Sequence, residues 1–334
     1  MSFRGLILSL FSLVAVGGAA AQLACELPVD VVGVEKGKTN GGVIRGLRAN
    51  NLLVTLSSGN HVPIGSLTYD AGPRRIVFVI DAPGALPSDA RKAEAEIAAN
   101  ILDHARSIDS FALITARGPA REVKFDQGVS AVKAALQDLS GDPKGKSSGL
   151  GTLDAVERGI EWLGSPRPGD AIFMLVMDSQ DNRKATLKKV AEDLEDHHIR
   201  LFSIALGYVN QKNPTKSNQT ITDHGLALTE PLVGEIVYEN GDQDLSPLTL
   251  NSGGYLYGEN ATDPHRVFKL AERGPRLQQV GMQFYQLIAE VYFMKINLPG
   301  RVSNWTVGLS EGGREQWTPV WSVYPRAVNR CSGT

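Results

Sequence analysis

Two uninterrupted apolar runs, each ending in an aspartate, constrain the fold of this chain more than any other feature. The first run covers residues 75–81 and the second covers residues 171–178. Aliphatic and β-branched residues follow one another without polar alternation, which is typical of central strands in a parallel sheet covered on both faces. In open α/β sheets, ligands bind where the carboxyl ends of the strands open into loops. We therefore expect Asp81 and Asp178 to mark the functional edge of such a sheet.

Residues 73–288 alternate between strand patterns and amphipathic helix patterns. The strand-type runs are 75–81, 110–116, 171–177 and 200–206. The segments between them place apolar residues at helical spacing. This succession predicts a doubly wound, mostly parallel α/β sheet. A polar insertion, 207–245, interrupts the rhythm, and a connection of that length without a clear pattern is often functional.

Both ends of the chain show β patterns. Residues 22–72 hold short β-type runs separated by Gly, Asn and Ser, and residues 289–334 alternate apolar and polar positions. The two cysteines, Cys25 and Cys331, lie in these two segments and would pair in an oxidising compartment. We therefore expect a small β-sandwich-like domain formed from both chain ends, with the α/β domain inserted between them.

Residues 1–21 have the pattern of a cleaved signal peptide. Arg4 precedes an apolar stretch, 6–16, that is too short to span a bilayer, and small residues follow it. We expect a secreted or periplasmic protein, not a transmembrane one. Lipid attachment is the alternative use of Cys25, although Gln22 stands where a lipoprotein signal has an aliphatic residue.

The composition is that of an ordinary globular protein. The chain has 334 residues, of which 42% are hydrophobic and 21% charged, and its formal net charge is −2. Such a balance gives no electrostatic reason to expect binding to nucleic acid or to an anionic membrane. It leaves the oligomeric state open.

The order of the elements resembles the von Willebrand factor type A domain, and within it a group of secreted acidobacterial proteins. The resemblance depends on the apolar runs ending at Asp81 and Asp178, on the helix start at 151–155 and on the strand pattern at 201–207. Members of this family often hold Mg²⁺ through an Asp-x-Ser-x-Ser sequence, a threonine and a later aspartate. Partners contact the same edge of the sheet.

The resemblance implies a degenerate metal site in this chain. Asp81, Thr152 and Asp178 correspond to the family's aspartate, threonine and second aspartate, with Thr152 slightly out of register. Pro83 and Ala85 stand where the two serines belong, and neither offers a side-chain oxygen to a hard cation. We therefore expect no resident cofactor beyond a weakly bound Mg²⁺ or Ca²⁺.

The loops around these positions form the expected partner-binding surface. The candidate contact residues are Pro83, Gly84, Ser148 and Ser179. Ser147 and Ser148 are also alternatives to the threonine ligand. The preferred interpretation is a secreted binding or adhesion module that is not an enzyme and that recognises a protein or a cell-envelope component.

Two other functions stay open. Asp81 and Asp178 around a divalent ion would suit a metal-dependent hydrolase, although few further ligands are available. Alternatively, the α/β domain is a structural scaffold for a β domain whose clustered Trp305, Trp317 and Trp321 contact the partner, although at β spacing these rings are more typical of core packing.

Overall fold

The elements follow the order β, then α/β, then β along the chain. The computed structural model describes residues 23–38, 41–81, 88–141, 145–146, 148–176, 186–206, 245–258, 270–298, 300–303 and 305–329. The first five strands are β1 (Leu23–Glu35), β2 (Gly41–Val43), β3 (Leu52–Thr55), β4 (His61–Val62) and β5 (Ile64–Asp70).

The middle of the chain supplies the α/β layer. Its strands are β6 (Arg75–Asp81), β7 (Ser110–Ala116), β8 (Glu122–Val123), β9 (Ala171–Val176), β10 (Arg200–Ala205) and β11 (Leu256–Gly258). Its helices are α1 (Ser88–His104), α2 (Gly128–Ser140), α3 (Thr152–Leu163), α4 (Leu187–Asp196), α5 (Leu245–Asn251) and α6 (Leu270–Ala289). Within the described ranges, no helix has both the length and the hydrophobicity needed to span a membrane.

The central sheet has six strands in the order β11-β10-β9-β6-β7-β8. Neighbouring strands are parallel except β7 and β8, which are antiparallel. If these six strands are renumbered 1 to 6 in chain order, their order in the sheet, read from β8 to β11, is 3-2-1-4-5-6. This order is typical of doubly wound sheets. The predicted doubly wound, mostly parallel α/β sheet is therefore confirmed.

Helices cover both faces of this sheet, which explains the uninterrupted apolar run at 75–81. Ile76, Phe78 and Ile80 belong to an apolar cluster with residues of α1, α2 and α6. Val77 and Val79 belong to the cluster on the other face, with α3, α4 and α5. A strand that alternates between two buried faces has no position left for a polar side chain until it reaches its end.

Strands from the two ends of the chain pair with each other. The C-terminal elements are β12 (Val291–Leu298), β13 (Val302–Ser303), β14 (Thr306–Leu309), α7 (Glu311–Gln316), β15 (Trp317–Val323) and β16 (Ala327–Val328). The first half of β1 pairs with β12, and the second half pairs with β15. The resulting sheet has the order β15-β1-β12-β5, with β2 also on β1, and a smaller sheet has the order β14-β3-β4.

Two buried arginines join these strands to the amino edge of the α/β layer. Arg74 is 1% exposed and donates from Nη1 to Oδ2 of Asp70, the last residue of β5, at 3.0 Å, and from Nε to the carbonyl oxygen of Ile288 at 2.9 Å. Arg200 is 2% exposed and donates from Nη1 to Oδ2 of Asp30 at 3.2 Å, and from Nη2 to the carbonyl oxygen of Leu287 at 2.9 Å. Buried cations need such partners because desolvation is costly.

Candidate functional site

The carboxyl edge of the six-stranded sheet contains the switch point of its topology. The chain moves from β6 outward to β7, and from β9 outward to β10 in the opposite direction, while β6 and β9 are neighbours. Crevices at such points are the usual ligand sites of doubly wound sheets. Asp81, the last residue of β6, lies at this point.

A guanidinium group contacts both oxygens of the Asp81 carboxylate. Arg117 donates from Nε to Oδ1 at 2.6 Å, and its Nη2 donates to Oδ2. The Asp81 side chain is 0% exposed and that of Arg117 is 7% exposed. Bidentate ion pairs between arginine and a carboxylate combine charge with fixed geometry. The positive charge beside Asp81 also opposes the approach of a divalent cation to this carboxylate.

The register of two strands and a tight turn place Arg117. Ala116, the last residue of β7, is the partner of Asp81 in the parallel pair. Arg117 follows with a φ of 53°, a left-handed conformation that is uncommon for any residue except glycine. Thr115 Oγ1 stabilises the turn by accepting from the Arg121 N–H at 2.8 Å. Strained residues of this kind concentrate at functional sites.

The loop before α3 is fastened to this turn by main-chain hydrogen bonds. The three bonds run from Arg117 N–H to Leu150 O at 2.9 Å, from Ala120 N–H to Lys146 O at 2.9 Å and from Ser148 N–H to Gly118 O at 2.7 Å. Ser148, a predicted contact residue, is half-buried, whereas Lys146 and Gly149 are exposed. The turn that positions Arg117 therefore also positions the loop.

The start of α3 lies at the same edge, because this helix leads back to the beginning of β9. Thr152, the predicted threonine ligand, is the first residue of the helix and is 0% exposed. Asp154 Oδ2 accepts from the Gly151 N–H at 3.0 Å and closes the first turn. A carboxylate at this position also stabilises the positive end of the helix dipole.

Several predicted site residues lie outside the described residues. They are Pro83, Gly84, Asp178 and Ser179, together with most of the 207–245 insertion. Among the side chains that are described, no group of three or more His, Cys, Asp or Glu is arranged to share a metal ion. The predicted metal and partner contacts at these positions stay predictions.

The predicted disulfide also depends on a residue outside the described ranges. Cys25 lies on β1 and is 2% exposed, in the apolar cluster of the end strands. Cys331 lies outside the described residues. Its pairing with Cys25 therefore stays a prediction.

The loop before α3 contains a motif that was not identified from the sequence. Residues 145–149 read Gly-Lys-Ser-Ser-Gly, which matches the Gly-x-Ser-x-Gly pattern of a nucleophile elbow. That elbow requires a sharp turn between a strand and a helix. Here the segment joins two helices, α2 and α3, so the fold does not provide the setting of the elbow.

Arg117 is the site residue that sequence reasoning missed. Its residue type and its neighbours in the chain give no signal, since basic residues in loops are common. The useful clue was its position, directly after a strand adjacent to the one that ends at Asp81. In a parallel sheet, residues that follow neighbouring strands meet at one edge.

Comparison with known proteins finds distant structural similarities. Neither a family model nor a curated protein matches the chain. A solved von Willebrand factor type A structure from Catenulispora acidiphila has 9% identity and a TM-score of 0.40, covering 93% of this chain and 75% of its own. Proximal thread matrix protein 1 from the mussel byssus has 13% identity and a TM-score of 0.40, covering 68% of this chain.

The chain spans about half of that mussel protein, 49% of its length. BatB from Bacteroides thetaiotaomicron has 12% identity and a TM-score of 0.35, with 63% of this chain and 98% of BatB covered. The solved structures that resemble this chain therefore include von Willebrand factor A domain proteins. The fold assignment depends on the strand order of the chain itself.

Proposed function

We propose that this chain is a secreted, non-enzymatic binding module of the von Willebrand factor A type that recognises a protein or cell-envelope partner without a metal ion. The binding surface is the carboxyl edge of the six-stranded sheet, including the loop at 145–150. One observation supports this proposal above the others, namely that the carboxylate at the switch point is paired inside the chain by Arg117.

The Asp81–Arg117 pair matters because it supplies the charge that a cation would otherwise supply. A metal ion bound to Asp81 would have to displace a buried guanidinium. The displaced guanidinium would lose its counter-charge, and this loss would oppose metal binding. Instead, the pair holds the turn to which the 145–150 loop is bonded. The result is a rigid surface that needs no ion to order it.

The two alternative functions gain no comparable support. A metal-dependent hydrolase would use Asp81 as a ligand, and that carboxylate is held by Arg117. A scaffold that binds through its tryptophans would expose them, but Trp305, Trp317 and Trp321 are 1%, 9% and 7% exposed. Their rings contribute to the core instead.

Affinity capture with a charge-reversal variant tests the proposed surface. The immobilised full-length protein is incubated with envelope extract in Mg²⁺ and, separately, in EDTA. Lys146→Glu reverses an exposed charge on the 145–150 loop, while Lys36→Glu, the control, reverses an exposed charge on the turn after β1. We expect the amount of captured partner to fall at least tenfold with Lys146→Glu and to stay unchanged with Lys36→Glu. EDTA should not change the amount captured.

Crosslinking of the captured partner gives the second measurement. Crosslinks should fall on the 145–150 loop and on the turn at 117–120. Release of the partner by EDTA would contradict metal independence. Crosslinks confined to the strands of the chain ends would contradict the choice of surface and favour the scaffold function.

A further inference from the structure

A cleft of about 290 Å³ lies at the amino edge of the sheet, away from the Asp81 site. One wall consists of paired residues on β1 and β12, with Pro28 opposite Phe293 and Glu26 opposite Lys295. The other wall comes from the α3–β9 connection, from the end of α4 and from β16. The cleft therefore lies between the end strands and the α/β layer, where small-molecule sites often occur.

Rigid apolar groups dominate the lining of the cleft. Besides Phe293, it includes the four prolines Pro28, Pro166, Pro168 and Pro325. Proline rings and the buried Leu194 have little conformational freedom to lose when a ligand binds. Such a wall favours the apolar body of a ligand and requires little reordering.

A buried cation adds a polar feature to the apolar lining. Arg200 lines the cleft although it is only 2% exposed, which places it at the buried end. Its two terminal nitrogens bond to Asp30 and to main-chain oxygens, but its Nε has no hydrogen-bond partner among the described residues. Buried donors are nearly always paired, so an unpaired donor needs an explanation.

The charge of Arg200 is incompletely compensated. Burial lowers the pKa of this guanidinium to about 10, although Asp30 acts to raise it. Burial likewise raises the pKa of Asp30 to about 7, so this partner is a weak counter-charge near neutral pH. At the rim, Arg167 is exposed, Lys295 Nζ lies 3.8 Å from Glu26 Oε1, and Glu195 accepts hydrogen bonds from Asn329 at 2.7 Å and 2.9 Å. The cleft therefore favours an anion.

We propose that this cleft binds a small amphipathic carboxylate, with its apolar body against Phe293 and the prolines and its carboxylate towards Arg167 and Arg200. The shared chemistry fits two sources, a free aliphatic acid or the C-terminus of a peptide that ends in an apolar residue. Because the cleft and the Asp81 site are at opposite edges of the sheet, this site is independent of the proposed partner-binding surface.

Isothermal titration of the full-length protein tests the ligand chemistry. The probes are octanoate, its neutral counterpart octanamide, acetate, and a short peptide ending in Phe with a free or an amidated terminus. We expect octanoate to bind at least tenfold more tightly than octanamide or acetate. A preference for the free-ended peptide over octanoate would identify a peptide terminus as the ligand. Equal affinities for octanoate and octanamide, or no binding of any probe, would overturn the proposal.

Variants at the rim locate the site without disturbing the buried Arg200. Arg167→Gln should weaken octanoate binding about tenfold and leave octanamide unchanged, whereas Arg301→Gln, an exposed arginine outside the cleft, should change neither. Ala24→Phe places a ring at the exposed rim and should abolish binding, while Ala120→Phe at the opposite edge should not. Unaltered octanoate binding in Ala24→Phe would place the ligand elsewhere and refute the assignment.

Discussion

A single arginine compensates the buried carboxylate at the carboxyl end of β6. Arg117 neutralises Asp81 at the switch point of the sheet, and it does so from a strained left-handed conformation. The same strand has a matched pair at its other end, where Arg75 Nε donates to Asp170 Oδ1 at 3.1 Å. The two pairs share residue types and strand, but only one lies at the switch point.

Replacing Arg117 by methionine should destabilise the fold strongly, because Asp81 then stays buried without its guanidinium. We expect a loss of about 3–5 kcal/mol in the free energy of unfolding, measured by chemical denaturation. Adding Asp81→Asn to this variant should restore much of the lost free energy of unfolding, since this pair then leaves no buried charge. Lys133→Met, the control, should cost less because the carboxylate that it leaves unpaired, Asp103, is 60% exposed. Mg²⁺ should raise the melting temperature of Arg117→Met but not that of the wild type. A rise in the wild type would contradict the proposed metal independence.

The buried Asp30 predicts a pH-dependent stability. Burial raises its pKa from 3.8 to about 7, so the folded chain keeps a proton that the unfolded chain has released. The stabilising contribution of this group is complete below the unfolded value and is lost as the pH rises through about 7. Asp30→Asn cannot ionise, so its stability relative to the wild type should increase across this window, by up to about 1.4 kcal/mol per pH unit.

Urea denaturation at a series of pH values measures this difference. The exposed Asp103→Asn serves as the control and should follow the wild type at every pH. The test is how the difference in unfolding free energy between Asp30→Asn and the wild type changes with pH. The absolute difference is not the test, because the amide introduced by Asp30→Asn also changes the contact with Arg200 by a constant amount. Parallel curves for the wild type and Asp30→Asn would show that Asp30 does not titrate in this range.

At the level of elements, one glycine sets how closely the segment before β11 approaches β10. A Cβ added to Gly254 would lie 1.9 Å from the Leu201 carbonyl oxygen. Gly254→Ala should therefore push β11 away and cost about 1–3 kcal/mol or more, the range for overpacked sites. Gly308→Ala is the matched control, since no atom lies within 4 Å of its added Cβ. Thermal unfolding distinguishes them, and equal melting temperatures would contradict the close approach.

The elements themselves were largely predictable, because their signals are local. The four strand runs and the helices between them follow from periodicity over a few residues, and the structure confirms them with shifts at their ends. The helix α7 was missed, because Gly312 and Gly313 resemble a turn. Its first turn is capped by Ser310, whose side chain accepts from the Gly313 N–H at 3.2 Å.

Long-range pairings were not predictable from the same signals. Asp81 was identified from its position at a strand end, but its partner Arg117 is 36 residues away. Asp30 and Arg200 are 170 residues apart and show no pattern in the sequence. Such contacts depend on strand order and register, which periodicity does not specify. The position of the candidate site could therefore be predicted, but its electrostatics could not.

At the level of the whole molecule, the end strands and the α/β layer share one apolar cluster. Val32 on β1 and Trp321 on β15 belong to the same buried cluster as Phe284 of α6. The Trp321 ring lies 4.6 Å from that of Tyr255, between centroids. The two regions therefore stabilise each other across this cluster, and the predicted division at residues 72 and 288 stays a prediction.

The segment 73–288 expressed alone should accordingly lack a stable native state. Without β1 and β15, the apolar face of α6 that packs against Trp321 would be exposed to water. We expect dye binding to exposed apolar surface and no cooperative thermal transition, whereas the chain lacking only residues 1–21 should unfold in a single transition by calorimetry. A fragment that melts cooperatively at the temperature of the longer chain would show two independent domains.

The pairing of β1 has a consequence for how the chain is made. A ribosome completes β1 early, yet its partners β12 and β15 emerge more than 250 residues later. At about 5–20 residues per second, this strand waits for tens of seconds without β12 and β15, paired only with the short β2 near its end. Until then its long apolar edge can pair with other nascent chains. The longest strand at the beginning of the chain is thus among the last to gain its two main pairing partners.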